Sequence, residues 1–124
     1  MRYLGIDYGE KRIGLALSDP EAKIAFPHST VANIPDILKV IKDEGAGEIV
    51  VGLPYSLDGS ESKQAEVIRG FAAELKSAVE LPIVFENELF TSKIAEATSS
   101  REHTDAAAAA LILQSFLDRS NHES

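Results

Sequence analysis

Residues 2–18, RYLGIDYGEKRIGLALS, decide the architecture: two β-rich runs, Arg2 to Tyr8 and Arg12 to Ser18, stand on either side of Gly9, Glu10 and Lys11. So short a break between two such runs predicts two antiparallel strands around a tight turn. Reading onward, a third strand is expected near Phe26 to Val31. The span Ile34 to Glu44 sets Ile34, Ile37, Leu38 and Ile41 on one helical face, and Gly45 and Gly47 are expected to stop it. Glu48 to Gly52 reads as a short apolar strand and Pro54 to Gly59 as a loop. Ser60 is the expected cap of a helix running to Val79, with Ile68, Phe71, Ala72, Leu75 and Val79 at helical spacing and Glu61 in the first turn. Leu81 to Phe85 reads as a buried strand, a short helix is expected after Thr91, and Asp105 to Leu117 as the final helix. An antiparallel start followed by strand-helix alternation implies an α/β fold, a mixed sheet with helices on its faces.

The 124 residues contain no linker, repeat or composition break, apart from the five alanines 106–110, so residues 1–124 are expected to form one unit. About two-thirds of the unfolded surface can be buried at this size, enough for a core without staples. Cysteine is absent, which excludes disulfides, thiolate zinc sites and cysteine nucleophiles and suits a reducing cytoplasm. Met1 to Asp7 does not read as a secretory leader. No apolar run approaches the ~20 residues of a membrane span; the longest, 106–113, fits a buried helix. Twelve Lys and Arg stand against 20 Asp and Glu, a net charge of −8. Taken alone, that balance argues against a protein that grips nucleic acid by its backbone.

Four stretches carry residues capable of chemistry. In GIDYGEKRIGLALSD, Asp7 ends an apolar strand and Gly9 follows, a residue that tolerates φ > 0 and a close ligand; an isolated Asp-x-Gly is equally a turn aspartate. In IVVGLPYSLDGSES, a strand runs into Gly52, Pro54, Asp58-Gly59 and Ser60, where backbone N–H groups can hold a phosphate or simply reverse the chain. Neither the P-loop nor the Gly-x-Gly-x-x-Gly spacing occurs. VFENELFTS puts Glu86 and Glu88 just beyond a strand, as exposed glutamates commonly are. HTDAAAAALILQSFLD opens a helix on Asp105, favoured there by the macrodipole; the alanines also allow the helix to pack close to the sheet and bring Asp105 near the strand ends. Together, these acids lie at element ends that the architecture can bring to one sheet edge. Clustered carboxylates repel unless a cation lies between them. Mg²⁺ takes oxygen ligands and keeps waters, and two such ions about 4 Å apart can activate a water and stabilise the leaving oxygen of a phosphodiester. Without Cys or a His pair, zinc does not suit the donor set.

Those four stretches, in that order and over nearly the whole chain, resemble the YqgF family of pre-16S rRNA nucleases, also described as Holliday-junction resolvases. The resemblance implies a ribonuclease H-like fold with a mixed five-stranded sheet, three strands antiparallel and then parallel ones, flanked by helices. It also implies cytoplasmic, Mg²⁺-dependent cleavage of nucleic acid, with Mn²⁺ as a substitute and two ions in the site. Asp7, Glu88 and Asp105 align with the family's acidic triad as the catalytic and metal-binding residues. Gly9, Lys11, Arg12, Gly52, Pro54, Ser60, Lys63 and Lys93 are the substrate-contact candidates. Two differences stand out: Leu89 replaces the arginine usual after the triad glutamate, and Lys93 to Thr104 is shorter than the family's basic loop.

The acidic total is offset in part because cations would neutralise the triad, while Lys11, Arg12, Lys63, Arg69, Lys93, Arg101 and His103 could line one cleft; a solvated mixed-charge surface explains each one as well. His28 and His122 read as structural or surface residues. The expected substrate is structured RNA, with processing of the 5′ end of pre-16S rRNA favoured and branched DNA as the alternative. Junction resolution calls for a two-fold dimer, so monomer and homodimer both stay open. A binding module that has lost turnover is the contrasting class, motivated by Leu89, the short loop and the charge. ATP phosphotransfer is disfavoured, because sugar-kinase-like enzymes close two domains around the nucleotide.

Overall fold

Alternation along the first strand sorts its side chains into two layers, Leu4 and Ile6 on one face and Gly5 and Asp7 on the other. The computed structural model describes residues 1–54, 62–87 and 105–122. Its strands are β1 (Arg2–Tyr8), β2 (Ile13–Ser18), β3 (Ala25–Val31), β4 (Ala46–Leu53) and β5 (Ile83–Asn87). Its helices are α1 (Ile34–Glu44), α2 (Lys63–Ala78) and α3 (Asp105–His122). One sheet holds the strands in the order β3-β2-β1-β4-β5. The β1–β2 and β2–β3 pairs are antiparallel, and β1–β4 and β4–β5 are parallel. This is the mixed five-stranded sheet the family resemblance implied.

Helices α1 and α2 cover one face. There Leu4, Ile6, Leu15, Ile49, Val51 and Leu53 pack against Ile37 and Ile41 of α1 and Ile68, Phe71 and Leu75 of α2. Each such Leu or Ile contributes about 1.5–3 kcal/mol when fully buried. Asn33 caps α1 by accepting the Asp36 N–H at 3.0 Å. The helix ends at Gly45, whose φ of 69° is left-handed and whose N–H reaches the Ile41 carbonyl at 2.9 Å. Gly47, expected to help stop α1, lies instead inside β4, which starts at Ala46. One left-handed residue suffices to end the helix, and the chain pairs with β1 at once.

The cap of α2 is Ser62, not Ser60: its Oγ accepts the Ala65 N–H at 3.2 Å, and Glu66 is the acid of the first turn. Ser60 and Glu61 lie outside the described residues, as do most of the Pro54 to Gly59 loop and the helix expected after Thr91. Strand β5 lies two residues later than Leu81 to Phe85, because its limits follow the ladder with β4, Ile49 opposite Ile83 through Leu53 opposite Asn87, and not the apolar run. Helix α3 continues five residues past Leu117. Its last turns are polar, and Asn121 donates to the Ala22 carbonyl at 3.2 Å.

Among the described residues helix α3 covers the other face, with Ala109, Ile112, Leu113 and Leu117 on Ala16 and Val50. Its approach is unusually close. A Cβ at Gly5 would lie 2.7 Å from the Leu113 Cβ and 3.0 Å from the Ala109 carbonyl oxygen, and a Cβ at Gly14 would overlap the Asp105 carbonyl. The alanine-rich first turns therefore seat the helix backbone on the β1–β2 ladder, as the sequence anticipated. Gly14→Ala is expected to destabilise the protein by at least ~2 kcal/mol, since backbone must move to admit the methyl group. Gly70→Ala, in the exposed middle of α2 with nothing within 4 Å, is expected to stabilise it by about 0.5–1 kcal/mol. Urea unfolding of both variants checks the pair of opposite signs.

Candidate active site

Asp7 is the penultimate residue of β1 and lies on the α3 face, since Tyr8 packs on the opposite side against Phe71 with ring centroids 4.5 Å apart. Its ladder partner on β2 is Gly14. The space a side chain would fill at Gly14 is taken by the Asp105 carbonyl, so the first residue of α3 rests beside Asp7's own partner position. Residues 98 apart in sequence thus meet at one sheet edge for a steric reason: glycine at 14 is what lets the helix N-terminus in. Val50 faces α3, so Gly52 faces it as well, and Gly52 pairs with Glu86 of β5.

Asp105 is half-exposed and carries a direct partner. Arg12, first residue after the β1–β2 turn, donates its Nε–H to Asp105 Oδ2 at 2.8 Å. The turn is shaped by Gly9 through lack of space, since a Cβ there would lie 2.7 Å from the Arg12 carbonyl oxygen; Gly9 does not use the positive φ it tolerates. Lys11 is exposed on the same turn. Pro54 follows β4 directly, and Lys63 is the exposed first residue of α2, just beyond its cap. Arg69 does not join them: its guanidinium lies 4.8 Å from the centroid of the Phe85 ring, on the α1–α2 side of the sheet. Strand alternation turns Phe85 away from α3, so Arg69 goes with it.

Glu88, Ser60 and Lys93 lie outside the described residues, as do Leu89, Arg101 and His103. Among the described residues no three His, Asp or Glu side chains gather as a metal group. Two of the three expected acids, Asp7 and Asp105, are brought to one edge.

The role of Glu86 is not evident from the sequence. Expected as an exposed glutamate beyond the strand, it is inside β5 and only 1% exposed. Ser115 donates to its Oε2 at 2.8 Å and Arg119 pairs with its Oε1, both from α3. A buried carboxylate needs such partners. The available signal was the Ser115/Arg119 pair, four residues apart and hence on one face of a helix otherwise rich in Ala and Leu.

Residues 1–119 match the family described as RuvX, Holliday junction resolvase. The chain belongs to the RuvX family. A protein of Maridesulfovibrio salexigens named "Putative pre-16S rRNA nuclease" is 37% identical over 134 residues, 96% of this chain and 99% of its own length. One of the same name from Anaeromyxobacter is 41% identical, over 95% of this chain and 97% of its own. RuvX is the YqgF family that the four motifs resemble, so the nuclease assignment stands. Among solved structures, Thermus thermophilus RuvC in complex with Holliday junction substrate superposes over 100% of this chain and 98% of its own with a TM-score of 0.67. At 13% identity, that likeness establishes the ribonuclease H-like fold. Among the described residues no helix is long and apolar enough to cross a membrane.

Arg119→Ala is expected to cost about 1–3 kcal/mol, the penalty for a buried acceptor losing its partner, with water reaching the vacated, half-exposed position. Adding Glu86→Gln to that variant is expected to recover part of the loss in urea unfolding, because no uncompensated charge then remains in the core.

Proposed function

We propose that this RuvX-family protein hydrolyses phosphodiester bonds in structured RNA, processing the 5′ end of pre-16S rRNA with bound Mg²⁺. Asp7 and Asp105 are the observation that carries the reading: hard oxygen donors, distant in sequence, meet at one sheet edge because Gly14 makes room for the start of α3. That donor set fits Mg²⁺ and not a soft metal. Glu88, one residue past β5, completes the set by its alignment with the family triad. When bound, Mg²⁺ supplies a lowered pKa for the attacking water and positive charge for the leaving oxygen, and the triad's charge suits two ions.

The chain's own residues do the rest. Asp7, fixed in a strand, and Asp105, fixed at a helix start, hold their carboxylates on rigid elements. Lys11, Arg12, Lys63 and Lys93 contact phosphates. Gly9, Gly52, Pro54 and Ser60 are assigned to contact with the strand to be cut. Local placement of Lys11, Arg12 and Lys63, rather than net charge, provides the grip that the total of −8 does not. The protein works in the cytoplasm, where ribosomal precursor is made.

Asp7→Asn tests the reading, because it removes one negative charge with almost no change in shape. Cleavage of a pre-16S fragment in Mg²⁺ is expected to fall by more than ~100-fold, beyond what loss of a ligand's hydrogen-bond partner costs, with thermal unfolding close to wild type. Equal cleavage by both proteins would reject the site. Preferential cutting of a four-way DNA junction over the RNA, by a dimer, would move the substrate to branched DNA.

A further inference from the structure

Arg12 occupies the Asp105 carboxylate, which a cation at this edge would also use. Its Nε–H is bound to Asp105 Oδ2 at 2.8 Å, yet 67% of the Arg12 side chain is exposed, so the ion pair stands in water. Exposed pairs of this kind are weak, about 0.2–1 kcal/mol as a general rule. A divalent ion sharing Asp105 outcompetes a guanidinium and repels it. Arg12 then stays within reach of the site, since its backbone is tied to the turn that follows Asp7 and its carbonyl is packed against Gly9. A planar guanidinium freed from a carboxylate is matched in geometry to a phosphate.

We propose that Arg12 is an exchangeable counter-cation: it neutralises Asp105 when the cation is absent and transfers to a substrate phosphate when the cation binds. This rests on the reading of Asp7 and Asp105 as cation ligands. Its consequence is that metal binding and nucleic-acid binding are coupled through one side chain. By linkage, nucleic acid that captures Arg12 raises the affinity for the metal by the same factor. A protein of charge −8 would in this way acquire a phosphate contact only when it is ready to cut.

The experiment compares wild type, Arg12→Gln and Asp7→Asn. Calorimetry reads binding of Mn²⁺ alone. Fluorescence anisotropy reads binding of a labelled RNA hairpin in EDTA and in Ca²⁺, with Ca²⁺ used in place of Mg²⁺ to limit cutting. Arg12→Gln is expected to bind Mn²⁺ about two- to fivefold more tightly, since the competing cation is gone. The variant is expected to bind the hairpin like wild type in EDTA. In Ca²⁺ it is expected to bind about five- to tenfold more weakly, with the salt slope smaller by about one phosphate contact. A merely structural role would not produce that dependence on the ion. Unchanged or weaker Mn²⁺ binding by Arg12→Gln overturns the exchange, and so does an equal loss of hairpin affinity with and without Ca²⁺. If Asp7→Asn binds Mn²⁺ like wild type, the carboxylate site itself is wrong and the exchange falls with it. If Asp7→Asn loses Mn²⁺ while Arg12→Gln is inert, only the role of Arg12 is lost.

Discussion

Contact between the backbone of α3 and the β1–β2 ladder is the constraint from which the rest of this structure follows. It requires no side chain at Gly5 and Gly14 and only a methyl group at Ala16 and Ala109. Interiors are packed to crystal density, so a helix that sits this close cannot slide by a turn without colliding with the sheet. The contact therefore fixes where the helix begins, and where it begins is where Asp105 is. Asp7 gains its neighbour through the same atoms that give the layer its packing.

Two polar linkages hold the helix in that position along its length. Gln114 bridges the β2–β3 connection, accepting the Ala25 N–H at 2.8 Å and donating to the Lys23 carbonyl at 2.9 Å. Ser115 and Arg119 close on buried Glu86. Tyr3 and Phe116 add a ring contact at 5.6 Å between centroids. These groups are directional where the small-residue interface is not, so they select one rotation of the helix about its axis. The Arg12–Asp105 pair at the first residue of the helix differs in kind: it is exposed, weak and free to exchange. These ion pairs thus serve opposite ends of α3, one buried and structural, the other open and available to a ligand.

Much of this was legible beforehand because the relevant physics is local. The β1–β2 hairpin follows from two apolar runs around three turn residues, and α1 was bounded correctly at both ends by periodicity and Gly45. Most of the errors share one cause. Gly47, the limits of β5 and the end of α3 depend on pairing or contacts with segments distant in the chain, whereas the cap of α2 moved by two residues within one local motif. β5 runs to Asn87 because β4 offers partners that far, whatever its hydropathy. Glu86 looked like a surface residue for the same reason: nothing near it in sequence announces Ser115 and Arg119.

By itself the sequence determined the types of the described elements, the hairpin, the family through its four motifs, and the chemical character of the acids at the element ends. Strand alternation and helix periodicity act within a few residues and need no partner to be read. Only the tertiary structure decided which acids share an edge and which cations accompany them. It put Asp105 beside the Asp7–Gly14 pair, gave Arg12 to Asp105, buried Glu86 and turned Arg69 to the far face. Those outcomes depend on the distance between a helix and a sheet, and that distance is set by the absence of two side chains.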